Sequence, residues 1–94
     1  MTPTKDPDES IVIVFDFSAE LSAIDSVAVS MAVHGPGVDP GVAAMLDGAP
    51  QISGALALQR VRHGIHGLAY KPRCVATRGA DVIVRAGVMP VRWA

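Results

Sequence analysis

A stretch near the C-terminus limits what this chain can become. Residues 64–92 read GIHGLAYKPRCVATRGADVIVRAGVMPVR. Two apolar segments, 68–77 and 81–91, flank a tight glycine-containing turn at Arg78-Gly79-Ala80. Apolar runs rich in valine on both sides of such a turn predict a β-hairpin, and hence an antiparallel sheet. Pro72 has no N–H for a ladder, which predicts an edge or bulged strand at that point. Pro90 limits pairing in the same way, and Gly87 allows a bend. Nothing in the hairpin asks for chemistry.

The chain before it supplies the partners. Residues 1–9 contain Pro3 and Pro7 and the charged block Lys5-Asp6-Pro7-Asp8-Glu9, which reads as an extended or flexible acidic leader. Residues 10–94 read as one domain. In 10–18, SIVIVFDFS, a period of two puts Ile11, Ile13, Phe15 and Phe17 on one face. The opposite face holds Val12 and Val14, so a strand, loop or subunit is expected over it. Residues 19–25 form a connection with room for one helical turn. Residues 26–33 read as a second strand, with Val27, Val29, Met31 and Val33 on one side. Glycine and proline then mark a loop over 34–41, and 42–46 reads as a helical turn or weak edge strand. Residues 52–61 read as a third strand with a bulge at Gly54, and with Ile52, Leu56 and Leu58 on one face. Short strands between glycine and proline turns predict an all-β fold, an immunoglobulin-like antiparallel β-sandwich of about seven short strands.

At 94 residues the chain is the size of one domain. Cys74 is its only cysteine, so no internal disulfide forms and a disulfide-stapled module is excluded. No run approaches the ~20 apolar residues of a membrane helix. The net charge of −1 is unevenly placed. In residues 1–20, Lys5 against Asp6, Asp8, Glu9, Asp16 and Glu20 leaves −4. In residues 59–94, seven basic residues against Asp81 leave +6. Adjacent acidic and basic strands within one sheet, or contacts between copies, account for this pattern. Nucleic acid is disfavoured, because aromatics for base stacking make up only 4% of the chain.

Motifs for catalysis are thin. His63-x-x-His66 has a metal-like spacing, but a zinc site needs three or four ligands and no second pair exists. Cys74 shares the face of Leu68 and Tyr70, which predicts a buried, inert thiol. Neither the glycines at 35 and 37 nor those at 64 and 67 complete a phosphate or dinucleotide fingerprint. Asp6, Asp8 and Glu9 match no calcium loop. No cofactor or metal is expected.

Several landmarks together resemble a family of small tailed-phage structural proteins, the phage fiber-tail adaptors. They are the Lys5-Asp6-Pro7-Asp8-Glu9 block, the strand ending Phe15-Asp16-Phe17-Ser18, Leu21 and the Asp25-Ser26 turn. Later come Gly64-Ile65-His66-Gly67 with Tyr70, Val75-Ala76-Thr77 with Gly79, and the closing segment 88–91. Phe17 stands where many relatives have tryptophan, and His63-Gly64 where many have Gly-Gly.

The resemblance implies an immunoglobulin-like sandwich in a virion or prophage tail, assembled in the host cytoplasm. Such a part joins tail tube or connector proteins to fiber proteins and has no catalytic role, nucleic-acid partner or membrane partner. It also implies several symmetric copies, a homo-oligomer. Lys5, Asp6, Pro7, Asp8 and Glu9 would then meet Arg73, Arg78, Arg85 and Arg92 head to tail between copies. Gly64, Gly67, Tyr70 and Gly79 would shape structural turns. The alternative is a non-viral β-sandwich module that binds a peptide or small ligand through its glycine-rich loops.

Overall fold

The computed structural model describes residues 5–92. Among the described residues, seven strands pack as two antiparallel sheets. The first sheet has β1 (Ile11–Asp16), β4 (Leu56–Val61) and β3 (Gln51–Ser53), in the order β1-β4-β3. The second has β2 (Ser26–His34), β5 (Ala69–Arg78) and β6 (Asp81–Ala86), in that order, with β7 (Met89–Pro90) also on β5. These neighbours follow the D-E-B and C-F-G orders of an immunoglobulin-like sandwich. A 3₁₀ turn, Val42–Met45, lies between β2 and β3.

The alternation in β1 decides its orientation. Ile13, Phe15 and Phe17 are buried while Val12, Val14 and Asp16 stay exposed. Tyr70, Pro72, Cys74 and Ala76 of β5 supply the facing wall, with Met31 from β2. Leu21 and Ile24 close the core from the connection after β1. There Phe17 O accepts from Leu21 N at 2.8 Å, which closes a hydrogen-bonded turn over 17–21, ahead of the helical turn the connection had room for.

Residues 52–61 fold differently from the single bulged strand the sequence predicts. They make a two-residue hairpin, with Ser53 opposite Leu56 and Gly54-Ala55 between them. Gly54 has φ +60 and Gly79 has φ +58, each at the first central position of a two-residue loop. That is the type II′ pattern, where glycine avoids the clash a side chain would meet. The same Gly-Ala dipeptide therefore builds both hairpins. Ile52 consequently sits opposite Ala57, on the other face from Leu56 and Leu58.

Pro72 is neither at an edge nor in a bulge, because β5 is flanked by β2 on one side and by β6 and β7 on the other. Arg73 pairs with Ala86 and Tyr70 with Met89, so one unbroken register runs through both short strands. Pro72 O accepts from Gly87 N at 3.2 Å. The return bond would need a Pro72 N–H, and its absence separates β6 from β7.

Candidate functional site

The residues singled out in the sequence meet mostly at one end of the sandwich. Residues 5–9 of the leader fold onto that end instead of trailing from it, and residues 1–4 lie outside the described residues. Asp6, Pro7, Asp8 and Glu9 form a β-turn, with proline at its second position and Glu9 N donating to Asp6 O at 3.0 Å. Asp6 Oδ1 accepts from Asp8 N at 2.9 Å, and Glu9 Oε1 accepts from Asp6 N at 2.8 Å. The acidic side chains thus help to close their own turn.

Lys5 is fully buried, which corrects its assignment to an outward-facing interface. Its Nζ donates to His63 O at 2.5 Å, Asp6 O at 2.7 Å and Pro7 O at 3.5 Å. An ammonium has three protons, and three carbonyls receive them. Burial pulls its pKa below the usual 10.5, while Glu9, Asp6 and Asp8 work against that shift. The backbone at Lys5 pairs in parallel with the strand end: Lys5 N donates to Pro90 O at 2.9 Å and Arg92 N donates to Lys5 O at 2.8 Å.

The 63–67 loop is held from both sides. His63 has φ +61, outside the usual range for a side-chain residue, and its carbonyl meets Lys5. Gly64 has φ +107, and a Cβ there would lie 2.9 Å from Val91 Cγ2. Gly67 N donates to Val91 O at 2.9 Å. Buried Tyr70, near the start of β5, accepts from Ile65 N at 2.9 Å, five residues upstream, which is tyrosine-corner geometry. The same hydroxyl donates to Asp39 Oδ2 at 2.7 Å. Burial and the Asp39 carboxylate push the phenol up to about 12, against the opposing Ile65 N–H.

The four candidate arginines do not converge. Arg73 is exposed on the outer face of β5, opposite Ser30 and Ala86. Arg78 lies five residues further along the same strand, roughly 17 Å away. Arg85 points at the connection after β1, where it pairs with Glu20 and lies 5.7 Å from the centre of the Phe17 ring. Arg92 is at the Lys5 end. Gly79 N donates to Asp25 Oδ2 at 2.9 Å, which ties the β5–β6 turn to the start of β2.

Cys74 is buried, and burial raises its thiol to about 11, so it stays protonated at neutral pH. Among the described residues no three histidine, cysteine or carboxylate side chains converge as a metal site would require.

The surface of the described residues includes two depressions. One of about 440 Å³ lies where the 47–50 loop borders Val12, Leu58 and Arg60 on the outer face of the first sheet. The loop borders that face without covering it, since Val12 and Val14 both stay exposed. A smaller groove of about 250 Å³ separates residues 13–16 of β1 from Arg85, Ala86 and Gly87. The sequence gives no direct sign of this second groove, because it arises from which strands end up at the edges. No family model, curated protein or solved structure matches the chain.

Proposed function

We propose that this chain is a structural part of a bacteriophage or prophage tail, an adaptor joining tail machinery to fibers through protein contacts alone. The family resemblance in the sequence motivates the reading. One structural observation supports it: its two densest landmarks, the 5–9 block and the 64–67 loop with Tyr70, form a single hydrogen-bonded unit although they are far apart in sequence. A shared sequence pattern is then a shared way of locking one end of a sandwich. On this reading the exposed Asp8, Glu9, Arg73, Arg78 and Arg92 remain available for contacts with neighbouring subunits, whereas Lys5 holds the fold.

The groove beside the 47–50 loop favours a second reading, a β-sandwich binding module for a peptide or small ligand. Locating the chain in assembled particles separates the two. An epitope-tagged copy, found by immunogold electron microscopy, should label the tail where fibers attach. Particles without label, or label confined to the head, would overturn the adaptor reading.

A further inference from the structure

The outer edge of β6 is unpartnered among the described strands, and its sequence is complementary to itself. Residues of an antiparallel strand send their backbone groups alternately to one neighbour and to the other. Gly87 N bonds Pro72 O, so Asp81, Ile83 and Arg85 turn their backbones toward β5. Val82, Val84 and Ala86 therefore turn theirs outward. Val82 and Val84 also expose their side chains, at 59% and 40%.

We propose that two copies of this chain pair antiparallel through β6, about a twofold axis at Ile83. In that register Asp81 faces Arg85 of the second copy, Val82 faces Val84, and Ile83 faces itself. The outward backbones of Val82 and Val84 then bond each other in both copies. The two second sheets join into one continuous sheet. Both ion pairs form at once, because a twofold contact repeats every interaction.

Three observations choose this edge and this register. The exposed strand edges of β1, β2 and β3 carry no opposed charge pair within IVIVFD, SVAVSMAVH or QIS. Moving the axis by one residue, to Val84, would put Arg85 opposite Ile83 and dissolve both ion pairs. Asp81 makes no ion pair within its own chain among the described residues. Arg85 does hold Glu20, and its Nη1 donates to Val84 O at 3.1 Å, but a guanidinium has five donors and can reach a second carboxylate, and the Val84 carbonyl has a second lone pair for the partner strand. An inward-leaning charge on an edge strand normally discourages pairing. Here a second copy meets it with the opposite charge. The groove between β1 and β6 leaves this edge open. The pairing stands on the edge itself, whether or not the chain is a tail component.

Sedimentation equilibrium of the full chain, over a range of concentrations, tests the proposal. The wild type should dimerise reversibly. Asp81→Lys and Arg85→Glu each place like charges opposite one another, and each should weaken dimerisation at least about tenfold. Mixed in equal amounts they should recover it. In the mixed dimer the introduced lysine faces the introduced glutamate, and the retained Arg85 faces the retained Asp81. Val84→Pro deletes an outward N–H without touching the β5 ladder. It should abolish the dimer while circular dichroism and melting show a folded monomer. Under oxidation Ile83→Cys should cross-link to itself, with buried Cys74 as a silent control. A wild type that stays monomeric would overturn the proposal, as would a dimer indifferent to Val84→Pro or mixed charge variants that fail to associate. A monomer whose edge instead accepts an added extended peptide would also overturn it.

Discussion

The Tyr70 hydroxyl donates to Asp39 Oδ2 at 2.7 Å, a bond between residues 31 apart in the chain. The same oxygen accepts from Ile65 N at 2.9 Å. One phenol thus joins the glycine- and proline-rich 35–41 loop to the 63–67 loop. Asp39 in turn orders the start of the 3₁₀ turn, with Oδ1 accepting from Gly41 N at 2.9 Å. Removing the hydroxyl leaves an N–H and a carboxylate oxygen without this partner. Tyr70→Phe should therefore cost about 1–3 kcal/mol. Urea unfolding measures it, and a loss well below that range would show that the loops do not depend on the bond.

The same phenol predicts an alkaline limit. Its pKa rises from 10.0 unfolded to about 12 folded, because burial and Asp39 favour the neutral form. The unfolded chain then releases a proton more readily between those values. The Tyr70 contribution is complete below about pH 10 and is lost as pH rises through about 12. Melting temperature followed from pH 9 to 12 should fall in the wild type. The part of the fall due to Tyr70 should vanish in Tyr70→Phe. Equal slopes for the two proteins would remove the phenol from the account.

Much of the sandwich is legible in the sequence, for local reasons. Ile13, Phe15 and Phe17 alternate with exposed residues, so their face follows from strand geometry alone. Gly79-Ala80 announces its hairpin because long apolar runs flank it. Gly54-Ala55 makes the same turn, but β3 has only three residues, too few to display a period. Reading Gly54 as a bulge merges two strands into one. Pro72 is hidden for a different reason. Its missing N–H is harmless only because one register continues past it on β7, and register is not visible before the strands pair. The site is less legible still. Lys5 reads as solvated because lysine is almost always exposed. Its burial depends on carbonyls from its own turn and from His63, 58 residues away. The scatter of the arginines is likewise a product of topology.

Glycine substitutions separate backbone strain from crowding. Gly79 has φ +58, and a Cβ added there would meet nothing within 4 Å, so Gly79→Ala meets strain alone, about 1–2 kcal/mol. Gly64 has φ +107, and its Cβ would meet Val91 at 2.9 and 3.2 Å. Gly64→Ala should therefore be the more destabilising, because buried Val91 must also move. Thermal unfolding of both variants checks the order. Equal losses would mean that the Val91 contact relaxes freely.

Amine reactivity tests how the leader is held. The chain has two lysines, Lys5 and Lys71. Lys71 lies exposed on the outer face of β5, whereas Lys5 is buried with its ammonium against three carbonyls. Brief treatment with an acetylating ester, followed by peptide mass mapping, should modify Lys71 and spare Lys5. Mild urea should release Lys5 only as the domain unfolds, because Lys5 also pairs with Pro90 and Arg92 through its backbone. Lys5→Ala should cost about 1–3 kcal/mol, since it strands the His63 carbonyl and removes the buried stem. If Lys5 reacts as fast as Lys71 in the folded protein, residues 5–9 are a free tail in solution. The turn closed by Asp6 and Glu9 would then have no part in holding the sandwich.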